Sequence, residues 1–155
     1  MTVTDLLDRA KAQGVMIATA ESCTGGMVAA ALTDIPGSSA VVERGFVTYT
    51  NAAKQEMLGV RSDTLAAHGA VSEEVAQEMA EGALGHSQAQ LAVSVTGIAG
   101  PGGSEYKPEG RVCFGLAAKG QPTQTETVEF GALGRDNVRK AARDHALQML
   151  MNGLS

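Results

Sequence analysis

The sequence has few aromatic residues, few cysteines and no long apolar segment, and each absence excludes a class of protein. Aromatics make up 3% of the 155 residues and tryptophan is absent, so the stacking platforms of single-strand-binding proteins are scarce. Two cysteines, Cys23 and Cys113, make no disulfide framework and favour a reducing compartment. No apolar run approaches the roughly 18 residues that a membrane-spanning helix needs.

Basic residues are also in the minority. Twelve Lys and Arg stand against 17 Asp and Glu, which gives a net charge of −5. Nonspecific nucleic-acid binding depends on a basic surface that displaces phosphate counterions, so we expect no nucleic-acid partner. Met1 is followed by Thr-Val-Thr-Asp rather than by a basic and then an apolar segment, so no signal peptide is predicted. We expect a soluble, cytoplasmic protein with no membrane partner.

The length and the hydrophobic pattern predict one domain, residues 1–155, that is built in three layers. Helices are predicted over 3–13, 27–33, 51–58, 73 onward and 136–151, and strands over 15–20, 41–50, 91–95, 111–118 and 123–130. Short apolar runs are typical of strands buried on both faces, and a hairpin follows late in the chain. This order predicts an α/β/α sandwich whose sheet is mostly parallel, with one antiparallel strand.

Three polar or glycine-rich segments follow strands in this scheme, over 21–26, 49–54 and 96–103. Ligands of such sheets bind outside the carboxyl ends of the strands, so we expect the three segments to meet at one edge. The third segment lacks the G-x-G-x-x-G dinucleotide fingerprint. It either exposes backbone donors to a ligand or is a flexible connection.

Ser22 is the candidate nucleophile. It stands between a predicted buried strand and a helix, where glycines permit close backbone approach and the helix N-terminus presents free N–H groups to an oxyanion. The alternative is that Ser22 or Thr24 only caps the helix. Cys23 is a rival nucleophile, but successive side chains at a turn point in different directions, so we interpret Cys23 as a packing residue.

Lys54 is the candidate base. The three histidines, His68, His86 and His145, lack metal-ligand spacing and are not placed near Ser22 by the pattern, whereas Lys54 follows the second strand at the same predicted edge. A lysine with a pKa near 10.4 is neutral in only about one molecule in a few thousand at pH 7. Burial or a neighbouring cation must therefore lower its pKa. The alternative is an exposed helix lysine.

Three motifs together resemble the CinA C-terminal-domain family. They are Glu21-Ser22-Cys23-Thr24-Gly25-Gly26, Tyr49-Thr50-Asn51-Ala52-Ala53-Lys54 and the run from Ser94 to Gly103. The likeness extends through Gly45 and the runs 69–72, 110–112 and 135–139. It therefore covers nearly the whole chain in the right order.

The resemblance implies a three-layer α/β/α fold with a mixed five-stranded sheet. Family members of this size, without a molybdopterin-binding-like partner domain, typically hydrolyse nicotinamide mononucleotide to nicotinate mononucleotide and ammonia in pyridine-nucleotide recycling. The resemblance implies a small-molecule nucleotide as substrate and no metal or organic cofactor, and we expect a homodimer. The alternative is a non-catalytic nucleotide-binding or regulatory module related to competence/damage-inducible CinA.

The resemblance also assigns residues to the site. It implies Ser22 as nucleophile and Lys54 as base, with Tyr49 and Thr96 supporting the pair and Arg139 binding the substrate phosphate. The other residues expected to bind substrate are Thr24, Gly25, Gly26, Asn51, Gly97 and Gly100. Backbone N–H groups of the 24–26 turn are the expected oxyanion donors. The alternative for Arg139 is a solvated basic helix face.

Overall fold

A computed structural model of the chain describes residues 2–154, so Met1 and Ser155, the ends of the predicted domain, lie outside the described residues. In chain order the helices and strands are α1 (Val3–Gln13), β1 (Ile17–Glu21), α2 (Met27–Thr33), β2 (Val42–Val47), α3 (Asn51–Leu58), α4 (Ser62–His68), α5 (Glu73–Gly85), β3 (Leu91–Gly97), β4 (Arg111–Ala118), β5 (Gln124–Glu129) and α6 (Arg135–Gly153). A turn of 3-10 helix, Ser38–Ala40, precedes β2. The predicted bounds of α2, α3 and β4 are confirmed.

The five strands form one mixed sheet in the order β2-β1-β3-β4-β5. Strand β1 pairs in parallel with both β2 and β3. Strand β4 runs antiparallel to both β3 and β5, so four strands share one direction and β4 opposes them. The predicted mixed, mostly parallel sheet with one antiparallel strand is confirmed.

Helices cover both faces of the sheet, which confirms the three-layer prediction. Helices α1, α2 and α6 pack on the larger side chains of one face, such as Ile17 and Val93. Helix α5, flanked by α3 and α4, packs on alanines of the other face, such as Ala18 and Ala92. These small side chains let α5 approach closely: a Cβ on Gly115 of β4 would stand 2.6 Å from a backbone oxygen of α5. The alanines and glycine of this face therefore allow a closely packed core with few aromatic side chains.

Two elements depart from the predictions for identifiable reasons. Strand β2 was predicted over 41–50 but ends at Val47, because Thr50 instead caps α3 and its Oγ1 accepts from the Ala53 N–H at 3.1 Å. An N-cap residue has extended backbone angles and so resembles a strand residue in sequence. Helix α4 received no predicted bounds, since it has no buried residue and therefore no apolar stripe. None of the helices within 2–154 has the length and apolarity to cross a membrane.

Candidate active site

A cavity of about 350 Å³ opens where β1 and β3 end. Each of the three segments expected at this edge contributes to its wall: Ser22 and Cys23; Tyr49, Asn51 and Lys54; and residues 96–103. The connection between α4 and α5 adds Ala70 and Val71, the loop beyond Gly103 adds Ser104 and Glu105, and α6 adds Arg135. The prediction that the three segments meet at one edge is confirmed.

Ser22 and Lys54 are in direct contact in this cavity. The Lys54 Nζ atom lies 3.0 Å from Ser22 Oγ, and it also donates to the backbone oxygens of Thr48 at 3.0 Å and Tyr49 at 3.3 Å. A neutral amine has two N–H bonds and one lone pair. With both N–H bonds directed at the two carbonyls, the lone pair is left for the hydroxyl hydrogen of Ser22.

Burial gives Lys54 the electrostatic character of a base. Lys54 is 1% exposed, and this burial lowers the pKa of Lys54 below its ordinary value of 10.5, while the charges of Cys23 and Glu105 oppose the shift. A lowered pKa increases the fraction of neutral amine at neutral pH, as a general base requires. Burial has the opposite consequence for Cys23, because it raises the pKa of that thiol to about 11 and disfavours the reactive thiolate.

Glu21 fixes the turn that carries Ser22. Its carboxylate is almost completely buried and accepts four hydrogen bonds, from Thr24 Oγ1 at 2.6 Å and from the N–H groups of Gly26 at 3.2 Å, Val28 at 2.9 Å and Ala29 at 3.0 Å. These bonds satisfy N–H groups at the start of α2 that have no partner within the helix. This role of Glu21 was not predicted, although an acidic residue just before a helix is the expected sequence signal.

The structure places Thr24, Gly25 and Gly26, which were expected to bind substrate, outside the wall of the cavity. Thr24 is completely buried and its hydroxyl is bonded to Glu21. The Gly25 N–H donates to the Ser22 backbone oxygen at 3.0 Å, and the Gly26 N–H donates to Glu21. Neither glycine N–H is available to an oxyanion. The Cys23 N–H, in contrast, donates to no other residue within the described chain.

Arg139 also lies elsewhere than expected. Its Nε donates to the backbone oxygen of Cys23 at 3.0 Å, and its Nη2 lies 3.4 Å from that of Thr24. The guanidinium therefore braces the nucleophile-bearing turn from behind, and Arg139 is not among the residues that line the cavity. The expected phosphate-binding role of Arg139 therefore stays a prediction that these contacts do not support.

Arg135, one helical turn before Arg139, is the arginine that lines the cavity. Its Nη1 donates to the Gly100 oxygen at 2.7 Å and its Nη2 to the Tyr49 hydroxyl at 2.9 Å. The two arginines are four residues apart and share one helix face, so helix periodicity alone does not distinguish them.

The remaining predicted residues line the cavity. Tyr49 contacts the pair through its backbone oxygen, which accepts from Lys54, while its hydroxyl accepts from Arg135. The Thr96 hydroxyl donates to the Ala70 oxygen at 2.8 Å, which ties the end of β3 to the α4–α5 connection. Asn51, Gly97 and Gly100 lie on the wall. Residues 2–154 contain no group of three or more His, Cys, Asp or Glu side chains able to hold a metal ion.

Comparison with known proteins identifies the family. Residues 2–154 match the model of the CinA C-terminal domain. The chain belongs to the CinA C-terminal domain family. It is 57% identical over 142 residues to the nicotinamide-nucleotide amidohydrolase PncC of Escherichia coli strain K12, a match that covers 90% of this chain and 85% of that relative. It is 54% identical to a CinA-like protein of Chlorobium phaeobacteroides over 92% of the chain, but spans only 35% of that longer relative.

Solved structures of CinA proteins share the fold. The competence/damage inducible protein CihA from Agrobacterium tumefaciens superposes with a TM-score of 0.90 at 50% identity, covering 97% of this chain and 94% of that one. A CinA superfamily protein from Klebsiella pneumoniae gives a TM-score of 0.93 at 38% identity, covering 98% of this chain and 94% of that one. The sheet order and helix layers are therefore those of the family.

Proposed function

We propose that this CinA-family domain hydrolyses the carboxamide of nicotinamide mononucleotide and releases ammonia and nicotinate mononucleotide, a step in pyridine-nucleotide recycling. The observation that carries the proposal is the buried contact between Lys54 Nζ and Ser22 Oγ in the cavity wall. Burying an amine costs free energy, and a module that only binds nucleotides has no need of one beside a serine. The name of the Escherichia coli relative supports the choice of substrate.

Acylation uses the two side chains as nucleophile and base. Ser22 Oγ attacks the carboxamide carbon while the neutral Lys54 amine takes the hydroxyl proton. The resulting tetrahedral intermediate collapses, the C–N bond breaks, and the Lys54 ammonium returns the proton to the departing nitrogen. Ammonia leaves, and the nicotinoyl group remains as an ester on Ser22.

Deacylation repeats the same chemistry with water. The Lys54 amine, neutral again, takes a proton from a water molecule that attacks the ester carbon. Collapse of the second tetrahedral intermediate breaks the C–O bond, and Lys54 returns the proton to Ser22 Oγ. The pair is thereby restored, and the substrate has exchanged its amide nitrogen for a carboxylate oxygen.

The Cys23 N–H is our candidate oxyanion donor. Cys23 directly follows the proposed nucleophile. In hydrolases whose nucleophilic serine lies on a turn between a strand and a helix, the residue after the serine supplies one N–H group of the oxyanion hole. Cys23 lines the cavity, and its N–H donates to no other residue in the described part of the chain. This assignment departs from the expected donors of the 24–26 turn, because the Gly25 and Gly26 N–H groups are already engaged and Thr24 does not line the cavity.

Arg135 is our candidate for the substrate phosphate. A guanidinium has five N–H donors, and Gly100 and Tyr49 each accept one from Arg135. The remaining donors are available to bind phosphate oxygens in the paired geometry that favours arginine. Arg139 acts as a positioning residue, because its contacts are with the carbonyls of the nucleophile turn.

The direct test is ammonia release from nicotinamide mononucleotide by the purified protein. We expect the Ser22→Ala variant to lose about 10⁴-fold or more in kcat, as removal of a serine nucleophile does in other hydrolases. The matched control is Cys23→Ala, which removes the neighbouring thiol and should keep most of the activity. Full activity of the serine variant would contradict the mechanism, and nucleotide binding without ammonia release by the wild type would instead support a regulatory module.

A further inference from the structure

One charged group in the cavity wall has no role in the reaction described above. Of the Lys, Arg, Asp and Glu side chains within 2–154, three line the cavity: Lys54, Glu105 and Arg135. Lys54 contacts Ser22, and Arg135 contacts Gly100 and Tyr49. The Glu105 carboxylate has neither a hydrogen bond nor an ion pair with any described residue. The Lys107 ammonium lies close to it, since both groups flank the point where a Cβ on Gly69 would stand, but no direct bond to a described residue occupies the carboxylate.

The Glu105 carboxylate is held on the side of the cavity formed by the α4–α5 connection. Its Oε2 atom lies 2.6 Å from the point where a Cβ on Gly69 would stand. Lys107, two residues later, ties the same loop to that connection, since its Nζ donates to the backbone oxygens of His68 at 2.7 Å and Val71 at 2.6 Å. Because the charge of Glu105 acts on the pKa of Lys54, the carboxylate lies within electrostatic reach of the reacting end.

The positive charge of the Arg135 guanidinium enters the cavity wall from the face of the sheet opposite to α5. Arg135 is the first residue of α6, which packs on the opposite face from α5. Glu105 and Arg135 are not within ion-pair distance of each other, so their charges do not cancel by direct contact. The cavity therefore presents a negative group and a positive group from opposite faces, a pattern that suits a ligand carrying both charges.

We propose that Glu105 is a specificity-determining residue that recognises the positive charge of the pyridinium ring. This inference rests on the proposed function. In nicotinamide mononucleotide the ring nitrogen is bonded to ribose and positively charged, while the phosphate is negative. If the carboxamide reaches Ser22 and the phosphate reaches Arg135, Glu105 faces the cationic ring. The reduced 1,4-dihydro mononucleotide has the same carboxamide and phosphate but a neutral ring, so Glu105 favours the oxidised form.

Binding of the two redox forms to a protein that cannot turn them over tests the inference. In the Ser22→Ala background we would measure Kd for the oxidised and the reduced mononucleotide, with and without Glu105→Gln. We expect Glu105→Gln to weaken the oxidised form about two- to fivefold, the range for an exposed and solvent-screened charge contact, and to leave the reduced form unchanged. Added salt should shrink the preference of the unmodified Glu105 protein.

Glu56→Gln in the same background is the matched control. Glu56 is exposed on α3 and does not line the cavity, so its replacement makes the same change in net charge without touching the site. We expect it to change neither Kd. An equal effect of Glu105→Gln on both redox forms, or an unchanged preference, would overturn the role of Glu105.

The outcome is separable from that of the proposed function. Wild-type protein that prefers the oxidised form but releases no ammonia would leave the Glu105 assignment in place and refute the amidase. Ammonia release together with an unaltered preference in the Glu105→Gln protein would keep the amidase and refute the assignment. If neither redox form binds the Ser22→Ala protein, the Glu105 assignment is wrong, and ammonia release by the wild type decides the amidase separately.

Discussion

Two loops at the same edge of the sheet are built in opposite ways. The nucleophile turn, residues 21–26, is mostly buried, and its N–H groups and side chains are bonded to Glu21, to Ser22 and to β3. The glycine loop, residues 100–109, is mostly exposed and held at a few points. One of these is Glu109, whose carboxylate accepts from the N–H groups of Gly102 at 2.7 Å and Gly134 at 3.2 Å.

Helix α6 contacts both loops through residues one turn apart. Arg139 donates to carbonyls of the nucleophile turn, and Arg135 donates to the Gly100 oxygen of the glycine loop. Attack on an amide requires a nucleophile held in a narrow range of positions, whereas ligand recognition tolerates side chains and loops that move. We therefore propose that the site combines a rigid catalytic half, which contains the nucleophile turn, with a more exposed recognition half, which contains the glycine loop.

The largest effect should come from breaking the catalytic half at Lys54. We expect Lys54→Arg to lower kcat by about 10²- to 10⁴-fold, the usual contribution of a general base, because a guanidinium stays protonated. Steady-state ammonia release measures the effect, and circular dichroism checks the fold. An active arginine variant would mean that Lys54 supplies only positive charge.

Variants of Arg135 and Arg139 test whether the recognition half and the catalytic half act separately. We expect Arg135→Ala to lower kcat/KM for nicotinamide mononucleotide about 10- to 150-fold, the equivalent of one charge-assisted contact, and to have little effect on nicotinamide riboside, which has no phosphate. Arg139→Ala should reduce kcat on both substrates similarly, since it loosens the turn. A phosphate-dependent loss in Arg139→Ala but not in Arg135→Ala would reverse the assignment.

The two carboxylates that brace the loops test the comparison through stability rather than through activity. Glu21→Gln removes the charge of a buried carboxylate that accepts four hydrogen bonds and replaces one of its oxygens by an NH2 group that cannot accept. We expect it to lower the free energy of unfolding by about 1.5–3 kcal/mol. Glu109→Gln changes a partly exposed tether, so its cost should stay below about 1 kcal/mol. Urea denaturation of both variants measures the difference. An equal or larger loss in the Glu109 variant would contradict the contrast between the loops.

The sequence was sufficient for the layers and for the meeting of Ser22 with Lys54. Ser22 follows β1 and Lys54 follows β2, and these two strands are parallel. Because the carboxyl ends of parallel strands lie at one edge of the sheet, the two side chains could be placed together without knowledge of their tertiary contacts. The starts of helices α2 and α3 were also predictable from local sequence, because glycines precede α2 and Thr50 caps α3.

Tertiary contacts decided what the sequence could not. Arg135 and Arg139 are four residues apart and share a helix face, so only the docking of α6 against the nucleophile turn determines which one meets the cavity. Thr24 belongs to the expected motif, yet its hydroxyl is turned inward to Glu21. Glu105 lies in a loop without periodicity, and its place in the wall depends on the contacts of that loop with the α4–α5 connection.

The central claim is that Lys54 acts as a neutral amine on Ser22, and the pH dependence of kcat/KM tests it most directly. Burial lowers the pKa of Lys54, and the deprotonated form is the active one, so the rate should rise with pH through an ionisation below 10.5. Glu105→Gln removes a charge that opposes the shift, so it should move this rise to lower pH. A kcat/KM that shows no such rise at any pH below 10.5, or one that falls as Lys54 loses its proton, would contradict the account.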